Sequence, residues 1–252
     1  MFKKIILTLV FFFIVISADA FAKTRSSTTC NTTWSKIQSV YKLDPLYKSL
    51  IGLCGVEFRK KLWQKIATNK SLDYKEARKI MFGHLDNVGG KVCGVYSGTC
   101  ISTSGIPDPA KYNTEHSWCQ SWGATGKAKS DLHHLYPVKS KINSKRNNFP
   151  FCEVSDDTWD YNGSYFGKSY SGTTCFEPRN FHKGQLARAM FYFALRYSRP
   201  IDAEQEAFFR KWNEYYPPMA HEEQRNEDIY YYQGNRNPFV QYPEFVDLIS
   251  DF

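Results

Sequence analysis

The sequence predicts a single mixed α+β domain with helical flanks, and three observations predict it. Apolar residues recur at helical spacing toward both ends of the chain. A central stretch of β-branched, aromatic and turn-forming residues reads as short strands and loops. No internal repeat, low-complexity tract or Pro/Ser-rich linker divides the chain. Its 252 residues are enough to bury a self-sufficient core. A hydrophobic content of 42%, a charged content of 23% and a mean hydropathy of −0.51 exclude fibrous, collagen-like and largely disordered classes. The formal net charge of +8 creates a field that attracts polyanions such as nucleic acid.

The first residues read as a secretory leader. Lys3 and Lys4 precede the apolar run Ile5 to Ile16, interrupted only by Thr8, and small residues follow at Ala18, Ala20 and Ala22. This pattern predicts a signal peptide over residues 1–22, cleaved after Ala20 or Ala22, and a mature domain over 23–252. The run is 12 residues long, short of the roughly 20 that span a bilayer, so the mature form is expected to be secreted or periplasmic with no membrane segment.

Residues 23–33 are small and polar and predict a poorly ordered start. Leu50, Leu53, Val56, Phe58, Leu62 and Ile66 then recur at helical spacing, and Tyr74 to Phe82 repeats the pattern up to Gly89-Gly90. Residues 91–117 read as short strands and loops, and 154–174 as a surface loop or hairpin. Helices are predicted over 181–197, closed by Arg199-Pro200, over 202–215, stopped by Pro217-Pro218, and over 221–232.

Export makes the seven cysteines candidates for disulfides. Neighbourhood in sequence suggests Cys93–Cys100, Cys152–Cys175 and Cys30–Cys54, but an odd cysteine is left over and the connectivity, with the identity of the unpaired one, does not follow from sequence. There is no CxxC pair, which argues against a zinc ribbon or a thioredoxin-type motif.

The chemistry-bearing residues concentrate between 115 and 147. Glu115-His116 sets a carboxylate beside an imidazole, and Asp131-Leu132-His133-His134 adds an acid and two more imidazoles. Asn143, Arg146 and Asn147 stand at i, i+3 and i+4, so a helical segment would project all three from one face. This inventory of a proton acceptor, hard oxygen donors and a permanent cation suits metal-assisted phosphodiester hydrolysis. His84, His182 and His221 have no companion ligands nearby in sequence and are assigned no role, and Glu177 and Arg188 read as a structural ion pair or capping contact.

The runs KYNTEHSWCQSW (111–122), SDLHHLYPVKSKINSKRNNFPF (130–151), FEPRNFHKGQLARAMFYFALRY (176–197) and RNEDIYYYQGNRNPFVQYPEFVD (225–247) together resemble the endonuclease I family of secreted and periplasmic nucleases. The resemblance extends from about residue 45 to 247 in order and spacing. It implies a ββα-metal core in which two strands and a helix converge on one divalent ion. On that resemblance Glu115 and Asn143 are the metal ligands and His116 is the general base. His133 and His134 fall on the second strand, with His134, His133 and Asn147 in supporting positions. Arg146 occupies the family's arginine position, and its chemistry suggests a phosphate contact. Cys119 stands where the family often has Pro. The expectation is a monomeric, metal-dependent, sequence-nonspecific endonuclease that uses Mg²⁺, or Mn²⁺ or Ca²⁺, and contacts the backbone phosphates of DNA or RNA. Two other readings are a non-catalytic basic nucleic-acid-binding protein on a nuclease scaffold and a metal-independent ribonuclease using His133 and His134.

Overall fold

The computed structural model describes residues 18–252. The expected leader, residues 1–22, lies outside the described residues as far as residue 17. From there Ala18–Val40 forms α1, so the segment 23–33 is helical where a poorly ordered start was expected. Trp34 and Ile37 bury their side chains, and the Cys30–Cys54 disulfide ties the helix to the residue before α2. Tertiary anchoring supplies what the Ser/Thr-rich text lacks. A 3₁₀ turn over Pro45–Leu50, capped by Asp44, leads into α2 (Gly55–Ile66), which buries Phe58, Leu62 and Ile66. Val56 belongs to the same periodic set but faces solvent. Helix α3 (Tyr74–Ile80) starts where Asp73 accepts from the amides of Lys75 and Glu76, and a wider π turn continues it over Met81–Leu85.

Three short antiparallel strands follow, β1 (Asn87–Val88), β2 (Lys91–Cys93) and β3 (Cys100–Ser102), with Cys93–Cys100 bridging the last two. Strands β4 (Tyr112–His116) and β5 (Leu135–Lys139) form an antiparallel pair, and α4 (Ser140–Arg146) starts directly after β5. The expected hairpin is present as β6 (Asp156–Tyr161) and β7 (Ser164–Lys168), extended by β8 (Thr174–Glu177). Asn162 and Gly163, at φ 49° and 84°, form its two-residue turn. Both turn positions need the left-handed region, which Asn and Gly tolerate best.

The C-terminal third is helical: α5 (Asn180–Tyr197), α6 (Ala203–Tyr215), α7 (Ala220–Gln233) and α8 (Pro238–Gln241). Helix α5 is the central post. Every residue from His182 to Leu195 is buried, rather than one apolar side alone. Its charged residues are accordingly paired: Arg188 meets Glu222 through two bonds of 2.7 and 2.6 Å, and Lys183 meets Glu177 at 2.5 Å. Glu177 and Arg188 are each held in an ion pair, but not with one another: Glu177 pairs with Lys183 and Arg188 with Glu222. Gly184 lets the residue after α6 approach, since a Cβ there would run into the Tyr216 carbonyl. The main core packs α5 against Trp34, Phe58, Phe209, Trp212, Phe245 and Phe252, and a smaller core joins α3 to Leu132, Leu135 and Ile229. The site lies where these two cores meet.

Candidate active site

Strand β4 carries Glu115 opposite Tyr136 and His116 opposite Leu135 of β5, and α4 folds back against both strands. The arrangement is strand, strand, helix, and four of the expected site residues sit on it: Glu115 and His116 on β4, Asn143 and Arg146 on α4.

Glu115 is only 2% exposed. Its Oε1 accepts from the Tyr96 hydroxyl at 2.9 Å and lies 3.4 Å from Arg146 Nε. Burial pushes the Glu115 carboxyl above its ordinary range, and the charge of Arg146 and the Tyr96 bond oppose that shift without cancelling it. Tyr96 was not among the expected site residues. No spacing in the sequence links it to Glu115, because the contact is made by a loop between β2 and β3.

His116 ends β4, and its ring turns to different neighbours. Nε2 lies 3.2 Å from the Lys129 carbonyl. A carbonyl oxygen only accepts, so Nε2 carries the hydrogen and Nδ1 of the neutral ring keeps its lone pair. Tyr74 and His134 place their ring centres 5.5 Å from it on separate contacts. Burial lowers the pKa of His116 to about 3, with the charges of His134, Lys129 and Arg146 acting in the same direction. The imidazole is neutral at neutral pH, the form in which it can accept a proton.

Asn143 lies on α4 and reaches β4. Its amide nitrogen donates to Asn113 Oδ1 at 2.8 Å and to the Thr114 carbonyl at 3.4 Å. Arg146 sits one turn later but does not present its guanidinium to solvent. It is 1% exposed, with Nη2 donating to the Ser117 carbonyl at 3.0 Å and Nη1 to the Asn147 carbonyl at 2.7 Å and to Cys119 Sγ. The expected phosphate contact of Arg146 is corrected: the side chain is spent on Glu115 and on the turns either side of it. Asn147 is corrected as well. The helix ends at Arg146, and Asn147 has φ 49°, so it caps the helix and lies exposed outside the shared face.

His133 and His134 are not on the second strand. They form a 3₁₀ turn over Leu132–His134 that delivers the chain into β5. Asp131 holds that turn: Oδ1 accepts from the His133 amide at 3.1 Å and from Gln233 at 2.9 Å, and Oδ2 accepts from Tyr192 and Tyr197, each at 2.8 Å. Burial alone would raise the Asp131 carboxyl, but His133, His134 and the Gln233 and Tyr197 bonds together hold it below its ordinary value. His133 Nε2 is bound to the Asn235 carbonyl at 3.0 Å and His134 Nε2 to that of Ala128 at 2.7 Å. Both rings are buried and structural, His134 packing against His116 and Phe193.

No group of three or more His, Cys, Asp or Glu side chains able to hold a metal occurs among the described residues. The candidate donors are instead one carboxylate and one amide. The hydrogen bonds of Glu115 fall on Oε1, and Asn143 uses its nitrogen, so among the described residues Glu115 Oε2 and Asn143 Oδ1 stay uncommitted. Two hard oxygens fit a cation such as Mg²⁺, which keeps several waters and takes one or two protein ligands.

The chain matches endonuclease I over residues 54–244 and belongs to that family. It is 36% identical over 160 residues to an extracellular ribonuclease of Bacillus subtilis (strain 168), covering 55% of this chain and 54% of the relative. It is 30% identical over 111 residues to an extracellular deoxyribonuclease of Aeromonas hydrophila, covering 44% and 49%. It is 33% identical over 117 residues to Endonuclease-1 of Buchnera aphidicola subsp. Baizongia pistaciae (strain Bp), covering 45% and 47%. The chain thus spans about half the length of the curated relatives it matches.

Proposed function

We propose that this chain is an exported endonuclease that hydrolyses phosphodiester bonds of DNA or RNA without sequence specificity, using a divalent ion. One observation carries the reading: His116 is fixed by the Lys129 carbonyl with its other nitrogen free as a base, at the end of the strand that bears Glu115. His116 Nδ1 takes a proton from water, and the water oxygen forms a bond to phosphorus. The bond from phosphorus to the departing sugar oxygen breaks, and that oxygen takes a proton from a second water molecule. Glu115 and Asn143 are the residues that would hold the ion. When bound, the ion neutralises charge on the phosphate and the leaving oxygen. Arg146 acts as a positioning residue that fixes the Glu115 carboxylate.

Names support the substrate class, since the relatives are called ribonuclease, deoxyribonuclease and endonuclease, and the two polymers share the reacting group. Export is supported by the extracellular and periplasmic names, by three disulfides and by the leader-like residues 1–22. No helix among the described residues is long and apolar enough to cross a membrane. A ribonuclease mechanism on His133 and His134 is disfavoured because both rings are buried and bonded to backbone carbonyls. Incubating the purified mature protein with plasmid and with RNA, with Mg²⁺ or with EDTA, tests the reading. Cleavage in Mg²⁺ that stops in EDTA is expected. Retarded but uncut substrate in Mg²⁺ would instead establish a non-catalytic binder.

A further inference from the structure

With Arg146 sealed against Glu115, the site lacks the cation first expected to meet the phosphate, but Lys129 stands beside His116 and Arg78 beside Tyr74, the ring next to it. Lys129 contributes the carbonyl that holds the His116 ring, and its Nζ lies over the Tyr74 ring, 4.6 Å from the centre. Arg78, on the same helix as Tyr74, places its guanidinium carbon 5.8 Å from that ring. Tyr74 in turn sits 5.5 Å from the His116 ring, so one aromatic side chain connects both cations to the base. Neither Lys129 nor Arg78 forms an ion pair among the described residues, although the neighbouring Lys79 pairs with Glu76 at 3.5 Å. Arg78 Nε is buried and has no hydrogen-bond partner among the described residues. Its Nη1 and Nη2, by contrast, are not sealed and make no hydrogen bond among the described residues, so they are open to an anion.

We propose that Lys129 and Arg78, set around Tyr74, form a phosphate-binding subsite for the nucleic-acid backbone on the His116 side of the site. The assignment rests on the nuclease reading for its place in the reaction, but the anion site itself does not. The subsite would take a backbone phosphodiester oxygen, with Arg78 supplying directional N–H donors and Lys129 a mobile point charge. Lys129 then serves twice: its backbone sets the tautomer of the base, and its side chain draws the phosphate toward it. Because only the side chain is changed by substitution, the two roles can be separated.

The test uses Lys129→Met and Arg78→Met, singly and together, since Met keeps an apolar stem against Tyr74 while removing the charge. Binding of a fluorescein-labelled DNA duplex is measured by anisotropy in EDTA across a NaCl series. Removing one phosphate-neutralising cation should flatten the plot of log affinity against log salt by about 1, so the double variant should flatten it by about 2. Lys129→Arg should restore the slope, and Lys61→Met on α2, outside the site, should leave it unchanged. In Mg²⁺, kcat/KM should fall about ten- to hundredfold for each single Met variant. A double variant with the wild-type slope overturns the subsite, whatever its activity. A slope flattened by the double substitution, in a protein whose wild type cuts nothing, would leave the subsite standing and remove the nuclease reading.

Discussion

Arg146 Nε lies 3.4 Å from Glu115 Oε1, with both side chains sealed from solvent. Breaking a buried pair by removing one partner leaves an uncompensated charge and typically costs about 3–5 kcal/mol. Arg146→Met should therefore lower unfolding stability by that amount in urea titrations. Arg146→Lys should not restore it, because one ammonium cannot also serve the carbonyls of Ser117 and Asn147. A loss below about 1 kcal/mol, small by the same standard, would mean the pair is not what holds Glu115 in place.

Asp131 is the hub of the turn that delivers His134 and β5. Asp131→Ala strips the acceptor from Tyr192, Tyr197, Gln233 and the His133 amide. Bonds to a charged acceptor contribute about 1.5–3 kcal/mol each, so the loss should reach at least about 3 kcal/mol by chemical denaturation. Unchanged stability would contradict the role given to this carboxylate.

Six cysteines are paired and Cys119 is free and buried. Thiol titration of the denatured, unreduced protein should find one thiol. The bridges that close separations of 24 and 23 residues should each contribute about 3 kcal/mol, and the bridge across 7 residues about 2. Reduction should thus lower the melting temperature sharply, most of it through Cys30–Cys54 and Cys152–Cys175. Seven reactive thiols before reduction would refute the pairing.

Acid should destabilise the fold through histidines buried in neutral form. Burial lowers His182 to about 3 and His133 to about 4. Unfolded, such groups take up a proton near pH 6.5, so the unfolded state binds more protons between there and the folded values. Their contribution is complete above about pH 6.5 and is lost progressively as pH falls toward 3 to 4. Melting temperature followed from pH 7 to pH 4 should fall, and His182→Gln should flatten the slope. A wild-type melting temperature independent of pH in this window would count against the buried neutral assignment.

Much of this is legible in the sequence, and the exceptions share a cause. The helices from 181 to 232 and the hairpin around Asn162-Gly163 follow from local periodicity and turn chemistry, while the three disulfides, suggested by cysteine neighbourhood alone, and the free Cys119 are fixed only by the fold. Helix α1 is not legible, since its polar text carries no apolar stripe until Trp34 and Ile37, which need the rest of the core to pack against. His133 and His134 look like strand residues because they run straight into β5. Their turn is set by Asp131, whose partners Tyr192, Tyr197 and Gln233 lie 61 to 102 residues away. Arg146 reads as available to substrate because helical spacing reports a face without reporting what covers it. Tyr96, Lys129 and Arg78 leave no spacing signal: only the fold brings Tyr96 to Glu115, Lys129 to His116 and Arg78 to Tyr74.

The most direct measurement is cleavage and binding by His116→Ala in parallel with wild type, on plasmid and RNA in Mg²⁺. If His116 is the base, turnover should fall by about 10²–10⁴-fold or more, while affinity for nucleic acid in EDTA stays near wild type. Excess Mg²⁺ should partly rescue Glu115→Ala and Asn143→Ala, which each remove an oxygen ligand, but not His116→Ala. Near-normal cleavage by His116→Ala would contradict the account, because no other histidine beside β4 has a ring nitrogen placed to replace it: His134 is sealed behind it and His133 faces Asn235.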